Sequence, residues 1–274
     1  MWASTVAELA KMARRPANWL LLGIGLALAL TFTYLLPLAG ASGSGSAAPN
    51  TDRPLEEIMP AALVGNSVGG LPVFLGAIAL VVGVLAVGSE YSWNSWKTLL
   101  TQGRSRMTVY AGKLAALAVA MLVLVLAVFA MGALASWLVA VSSDGPIIWP
   151  GVAELGRGVA AGWLIAMTWA AMGAVLAIAL RGVALPLGLG LVWMLVVQNL
   201  LLGIAAPLVG WIGDLQRGLP GANAGSLVRA LGASPATPGV ADVAGPLQAA
   251  LVVAGYLVLF AGVGGWLLRR RDVL

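Results

Sequence analysis

Residues 107–141 read MTVYAGKLAALAVAMLVLVLAVFAMGALASWLVAV. At about 1.5 Å of rise per residue, this run is longer than a helix needs to cross ~30 Å of hydrocarbon. Its start is therefore expected to project from the membrane. Runs of the same character recur along the whole chain, at 17–38, 61–88, 152–180, 183–204 and 246–268. Hydrophobic residues make up 61% of the sequence and charged residues 9%, against roughly 25% charged in a soluble domain. The reading is an all-α, polytopic membrane protein with six transmembrane helices in a single transmembrane domain, 1–274.

Between the spans, the chain changes character. Residues 1–15, MWASTVAELAKMARR, place Trp2, Val6, Leu9 and Met12 on one helical face and Ser4, Glu8, Lys11 and Arg15 on the other. This predicts an amphipathic helix in the headgroup plane, its basic side toward anionic lipid. The alternative is the charged start of a signal peptide, but the apolar run that follows is longer than an h-region of roughly 7–15 residues. Pro16 suits the first turn of span one. Pro72 either kinks span two or sets its first turn. Residues 206–245, rich in Gly, Pro, Asp and Arg, are read as an extracytoplasmic or re-entrant region.

Charge placement orients the chain. Lys11, Arg14, Arg15, Lys97, Arg104, Arg106, Lys113, Arg181, Arg269, Arg270 and Arg271 fall on one set of alternate segments, and Arg53, Arg157, Arg217 and Arg229 on the other. By the positive-inside rule the richer set is cytoplasmic. Both termini are then cytoplasmic, in an inner or plasma membrane. Basic residues at the edges of apolar runs, with no soluble basic domain, argue against nucleic acid as a partner.

Several chemistries are disfavoured by composition. The sequence has no Cys and no His, which removes thiolate nucleophiles, imidazole bases and Cys/His metal sites together. All ten acidic residues (Glu8, Asp52, Glu56, Glu57, Glu90, Asp144, Glu154, Asp214, Asp242 and Asp272) fall at expected span ends or in loops. Ion-coupled carriers usually bury carboxylates in mid-membrane. No span offers a Ser/Lys or paired-Asp site, so no catalytic, metal or cofactor site is expected on this chain. Gln198, Asn199, Thr31, Thr33 and Thr168 are the main polar groups inside spans; of these, Gln198, Asn199 and Thr168 line a substrate path or join helices by hydrogen bonds.

The segment between spans two and three is the least ordinary. It reads GSEYSWNSWKTLLTQGRSR over 88–106, followed by YAGK at 110–113. As a short helix it puts Trp93, Trp96 and Leu100 on one side, with Gly103 as a stop. An interfacial helix anchored by Trp and Lys/Arg would account for the composition. Lys113 and Arg106 then snorkel to phosphate. Glu90 either pairs with a basic residue of a neighbouring segment or caps a helix.

The arrangement resembles the permease subunits of ABC exporters of the ABC-2 type. In that family an acidic residue in a G-S-E-Y-like sequence closes the second span. A short cytoplasmic helix follows, then R-x-R and G-K at the foot of the third span. Gly88, Glu90, Thr98, Leu99, Leu100, Arg104, Arg106, Gly112 and Lys113 stand where those features fall. The resemblance implies that segment 89–106 is a coupling helix docking on a separate ATPase, through Glu90, Tyr91, Trp93, Asn94, Trp96, Lys97, Leu100, Arg104 and Arg106.

The resemblance also implies a partnership. The chain has no G-x-x-x-x-G-K-[ST] phosphate loop, so ATP and Mg would sit on ABC ATPase subunits supplied in trans. Two of these would pair with two permeases, identical or homologous, in the lipid bilayer. An exporter of amphipathic or hydrophobic cargo (a drug, peptide antibiotic or lipid) is the function implied. A non-transporting scaffold or sensor subunit, and a secondary carrier, are the alternatives.

Overall fold

The computed structural model describes residues 2–41, 51–92, 105–206 and 208–270, with the backbone alone for 92 and 199–203. Every element is helical, and there is no strand among the described residues. Helix α1 (Trp2–Arg14) turns at Arg15 into α2 (Pro16–Leu30), which runs through a π-helical turn (Thr31–Leu35) into α3 (Leu36–Ala41). After α4 (Leu63–Val68) come α5 (Phe74–Ser92), α6 (Arg106–Ser142) and α7 (Val152–Leu180). Next, α8 (Ala184–Leu191) continues through a π-helix (Val192–Leu201) into α9 (Leu202–Ala205). The chain closes with α10 (Gly210–Gln216), α11 (Pro220–Ala230) and α12 (Pro246–Arg270).

Five helical stretches are long and apolar enough to cross a membrane: Pro16–Ala41, Phe74–Tyr91, Arg106–Ser142, Val152–Leu180 and Pro246–Arg270. The protein is thus a multi-pass membrane protein. The run from Ala184 to Gln198 is apolar but shorter. Burial separates the helices into centre and rim. The best spanning windows of α5 and α7 are each 72% buried, against 11% for the first span and 28% for the last. Helices α5 and α7 form the most extensive interface in the bundle. Lipid is as apolar as leucine, so close contact between such helices depends on small residues. A Cβ on Gly83 would strike the Ala170 carbonyl, and one on Gly173 the Leu80 carbonyl.

The chain departs from the expected span over 61–88. Helix α4 stops at Val68, the chain turns through 69–73, and the spanning helix starts at Phe74. Gly69-Gly70 and Pro72 supply the physical reason, since glycine favours the turn and proline has no N–H to continue the ladder. At its other end the helix runs on to Ser92. Glu90 and Tyr91 therefore belong to the last turn of α5 and not to a separate connecting segment. Ser105 caps α6 by accepting from the Thr108 N–H at 3.1 Å. Arg181, in the left-handed region at φ 52°, ends α7.

Within 206–245, α11 is not a surface helix. Asn223, Ala224, Ser226 and Val228 are buried, and the helix packs on α12, α7 and α4.

Candidate functional site

The N-terminal helix turns its polar face inward. Ser4, Thr5 and Glu8 are its buried residues, while Trp2 is 80% exposed and Val6 also faces outward. The expected orientation, basic side toward anionic lipid, is therefore reversed for Lys11. In a membrane the outer surroundings are apolar, so the apolar face is satisfied outside. The polar face must then find its partners within the protein.

Those partners are charges on two other elements. Lys113 of α6, 1% exposed, donates to Glu8 Oε2 at 2.8 Å, to Glu90 Oε1 at 3.0 Å and to the Ala86 carbonyl at 3.3 Å. These three acceptors match the three N–H donors of the ammonium. Lys11 closes the ring, standing 2.6 Å from Glu8 Oε1 and donating to Glu90 Oε1 at 2.8 Å. Two carboxylates and two ammoniums alternate around it, with no net charge. Opposite charges held this closely offset the large cost of withdrawing each from water.

Lys11 is the member nearest water, its side chain 37% exposed. Burial opposes its charge, but the hydrogen bonds and fields of Glu8 and Glu90 outweigh that. Its pKa stands above the ordinary lysine value.

The ring ties three parts of the chain together: α1, the C-terminal end of α5 and the N-terminal end of α6. Two glycines make the approach feasible. A Cβ on Gly112 would stand 2.6 Å from Ser4 Oγ, so Gly112 admits α1 and its neighbour Lys113 charges it. A Cβ on Gly88 would stand 2.5 Å from the Gly182 carbonyl, so Gly88 admits the turn between α7 and α8. Arg15 adds a further tie, its Nη1 donating to the Leu85 carbonyl at 3.0 Å.

The anticipated residues are distributed as follows. Glu90 is 3% exposed and pairs with two lysines; it does not cap a helix start. Lys113 does not snorkel to phosphate, because the two carboxylates hold it in the interior. Tyr91 is half-buried in the last turn of α5, and Arg106 opens α6. Trp93, Asn94, Trp96, Lys97, Leu100 and Arg104 lie outside the described residues. Thr168 donates to the Leu164 carbonyl at 2.8 Å and to the Val253 carbonyl at 3.3 Å, joining α7 to α12. Gln198 is buried in the π-helix against Gly221 of α11. The side chain of Asn199 is not described.

Glu8 and Lys11 were not singled out from the sequence as site residues. The available signal was an i,i+3 acid–base pair on the polar face of a helix destined for an apolar environment.

Comparison with known proteins bears on the same region. A family model described as ABC-2 family transporter protein matches residues 6–197, well over half of the chain. That range takes in α1 from Val6, the charged ring and the first four spanning stretches. No curated protein matches the sequence.

Proposed function

Because this chain belongs to the ABC-2 transporter family, we propose that it is the permease subunit of an ATP-driven exporter. In this reading six helices cross the cell membrane, the sixth crossing being the run from Ala184 to Ala205 through its π-helical segment. Both termini are cytoplasmic. Two permeases and two ATPase subunits form the unit, and ATP and Mg are held by the ATPases. The cargo is amphipathic or hydrophobic, in keeping with long apolar spans.

The observation that carries the reading is the charged ring. Glu90 lies three residues before Trp93 and Lys113 lies seven after Arg106, so the ring stands at both roots of the segment proposed to dock on the ATPase. A force on residues 93–104 reaches α5 through Glu90 and α6 through Lys113. Glu8 and Lys11 pass it to the N-terminal helix. Ion pairs in a desolvated site have a definite geometry and resist shear, which suits them to transmit a rigid-body displacement.

The test is a pull-down of the tagged chain from gently solubilised native membranes, with and without Trp93→Ala and Trp96→Ala. Copurification of an ATPase that the double substitution releases supports the permease reading. A partner lacking any nucleotide-binding fold would point to a scaffold or sensor subunit. For the cargo, the reconstituted complex is expected to show ATPase activity stimulated by amphipaths; hydrolysis indifferent to them would remove the cargo assignment.

A further inference from the structure

The end of α5 carries more hydrogen-bond donors than a helix needs. In an α-helix each carbonyl accepts from the N–H four residues on, so Leu85 is served by Ser89 and Ala86 by Glu90. The Leu85 carbonyl also accepts from Ser89 Oγ at 2.7 Å and from Arg15 Nη1 at 3.0 Å. The Ala86 carbonyl also accepts from Lys113 Nζ at 3.3 Å. A carbonyl oxygen has two lone pairs. The Leu85 oxygen is therefore over-subscribed and the Ala86 oxygen is filled.

We propose that Gly88-Ser89 is a hinge in α5. At it the Ser89 and Glu90 N–H groups leave the helical ladder and the last turn changes direction, while Arg15 and Lys113 keep the Leu85 and Ala86 carbonyls hydrogen-bonded. Within a membrane protein a helix opens at low cost only where neighbouring side chains take over the freed backbone groups. Arg15 comes from the α1–α2 corner and Lys113 from α6, so both donors stay in place when the turn moves. The freed N–H groups lie close to water and headgroups, because Lys11, bonded to Glu90, is 37% exposed there.

The local sequence weakens the helix at the same point. Glycine is a poor helix former, and a serine bonded back to the carbonyl four residues earlier bends a helix. Gly/Ser pairs and side chains inserted into the ladder are recognised causes of a kink; residues 85–90 combine both. The helix before the hinge is fixed, since Leu80, Val84 and Val87 are fully buried. Beyond it, the flexible side chain of Glu90 lets the backbone turn with the charged ring still closed. The inference concerns α5 alone, requires no ATPase and stands apart from the permease reading.

The test is amide hydrogen exchange of the full chain in lipid nanodiscs, resolved residue by residue over 80–92 and corrected for intrinsic rates. Exchange reports the local opening equilibrium, and Ser89 and Glu90 are expected to exchange about tenfold faster than Leu80 and Val84. In Arg15→Met the open form leaves the Leu85 carbonyl without its donor, because Ser89 Oγ departs with the turn. Exchange at Ser89 should then slow about tenfold, and Arg15→Lys, which keeps a donor, should restore it. A plain structural tie predicts the opposite sign, since its loss would loosen the turn.

Ser89→Ala removes the back-bond and supplies a better helix former, so it should also slow exchange at Glu90. It deletes a single oxygen and carries the test even if Arg15→Met does not assemble. Faster or unchanged exchange in these variants would overturn the proposal. So would equal changes at Leu80 and Val84, which would mark a loosening or tightening of the whole bundle, and so would wild-type protection of Ser89 and Glu90 equal to that of Val84.

Discussion

Lys113 and Glu8 stand 105 positions apart in the chain, and their charged atoms are 2.8 Å apart in the fold. Lys113 is 1% exposed and Glu8 7% exposed. Neither charge would be stable at its site alone. Each is retained because the other, with Glu90 and Lys11, completes a neutral ring. The pair therefore fixes where α1 sits and which of its faces turns inward.

Removing one member leaves the other buried and incompletely compensated. Lys113→Met is expected to lower stability by about 3 kcal/mol. Combined with Glu8→Gln it should cost less than the two single changes together, with a coupling of about 1–3 kcal/mol. Denaturant or thermal unfolding of the four variants in one detergent measures this; strict additivity would show that the two charges do not interact.

Gly112 controls the approach of α1 to α6. Gly112→Ala brings a Cβ to 2.6 Å from Ser4 Oγ, an overpacking expected to cost about 1–3 kcal/mol. Ser4→Gly in the same chain should restore most of the loss. Trypsin cleavage after Arg14 offers an independent readout, rising in the single variant and falling back in the double.

The alkaline limb of stability should report on Lys11. Its folded pKa is raised. The contribution is thus fully present below the unfolded lysine value of about 10.4 and is lost as pH rises through the higher folded value. A nitroxide at Ala3→Cys should remain immobilised through neutral pH and loosen only above that range. Lys11→Arg, whose guanidinium stays charged, should move the loosening upward; an unchanged profile would place its cause elsewhere.

Gln198 presents a different case. Among the described residues, neither its Nε2 nor its Oε1 has a hydrogen-bond partner, and a buried amide left so costs about 1–3 kcal/mol. Gln198→Leu is expected to raise the thermal midpoint. A fall instead would show that the amide is satisfied by water or cargo, and transport by the reconstituted complex would then be the measurement to make.

Much of this architecture is legible in the amino-acid order. Apolar runs long enough to cross the hydrocarbon fix the class, because no water is present there to satisfy an unpaired backbone. Arg and Lys at alternate ends give the runs an expected orientation. The Gly88–Glu90 and Gly112–Lys113 motifs mark the foot of the bundle before any contact is known.

Tertiary structure alone decided what those residues do. Periodicity divides α1 into two faces but does not say which turns inward, and the choice follows from the carboxylate and ammonium partners that α5 and α6 present. The split of the expected second span at 69–73 and the burial of α11 are likewise packing outcomes, set by the space neighbouring helices leave. Glu8 and Lys11 lie on the polar face of α1, and Glu90 and Lys113 toward the facing ends of α5 and α6. Only the fold brings them within hydrogen-bonding distance, where each charge makes the burial of the next affordable.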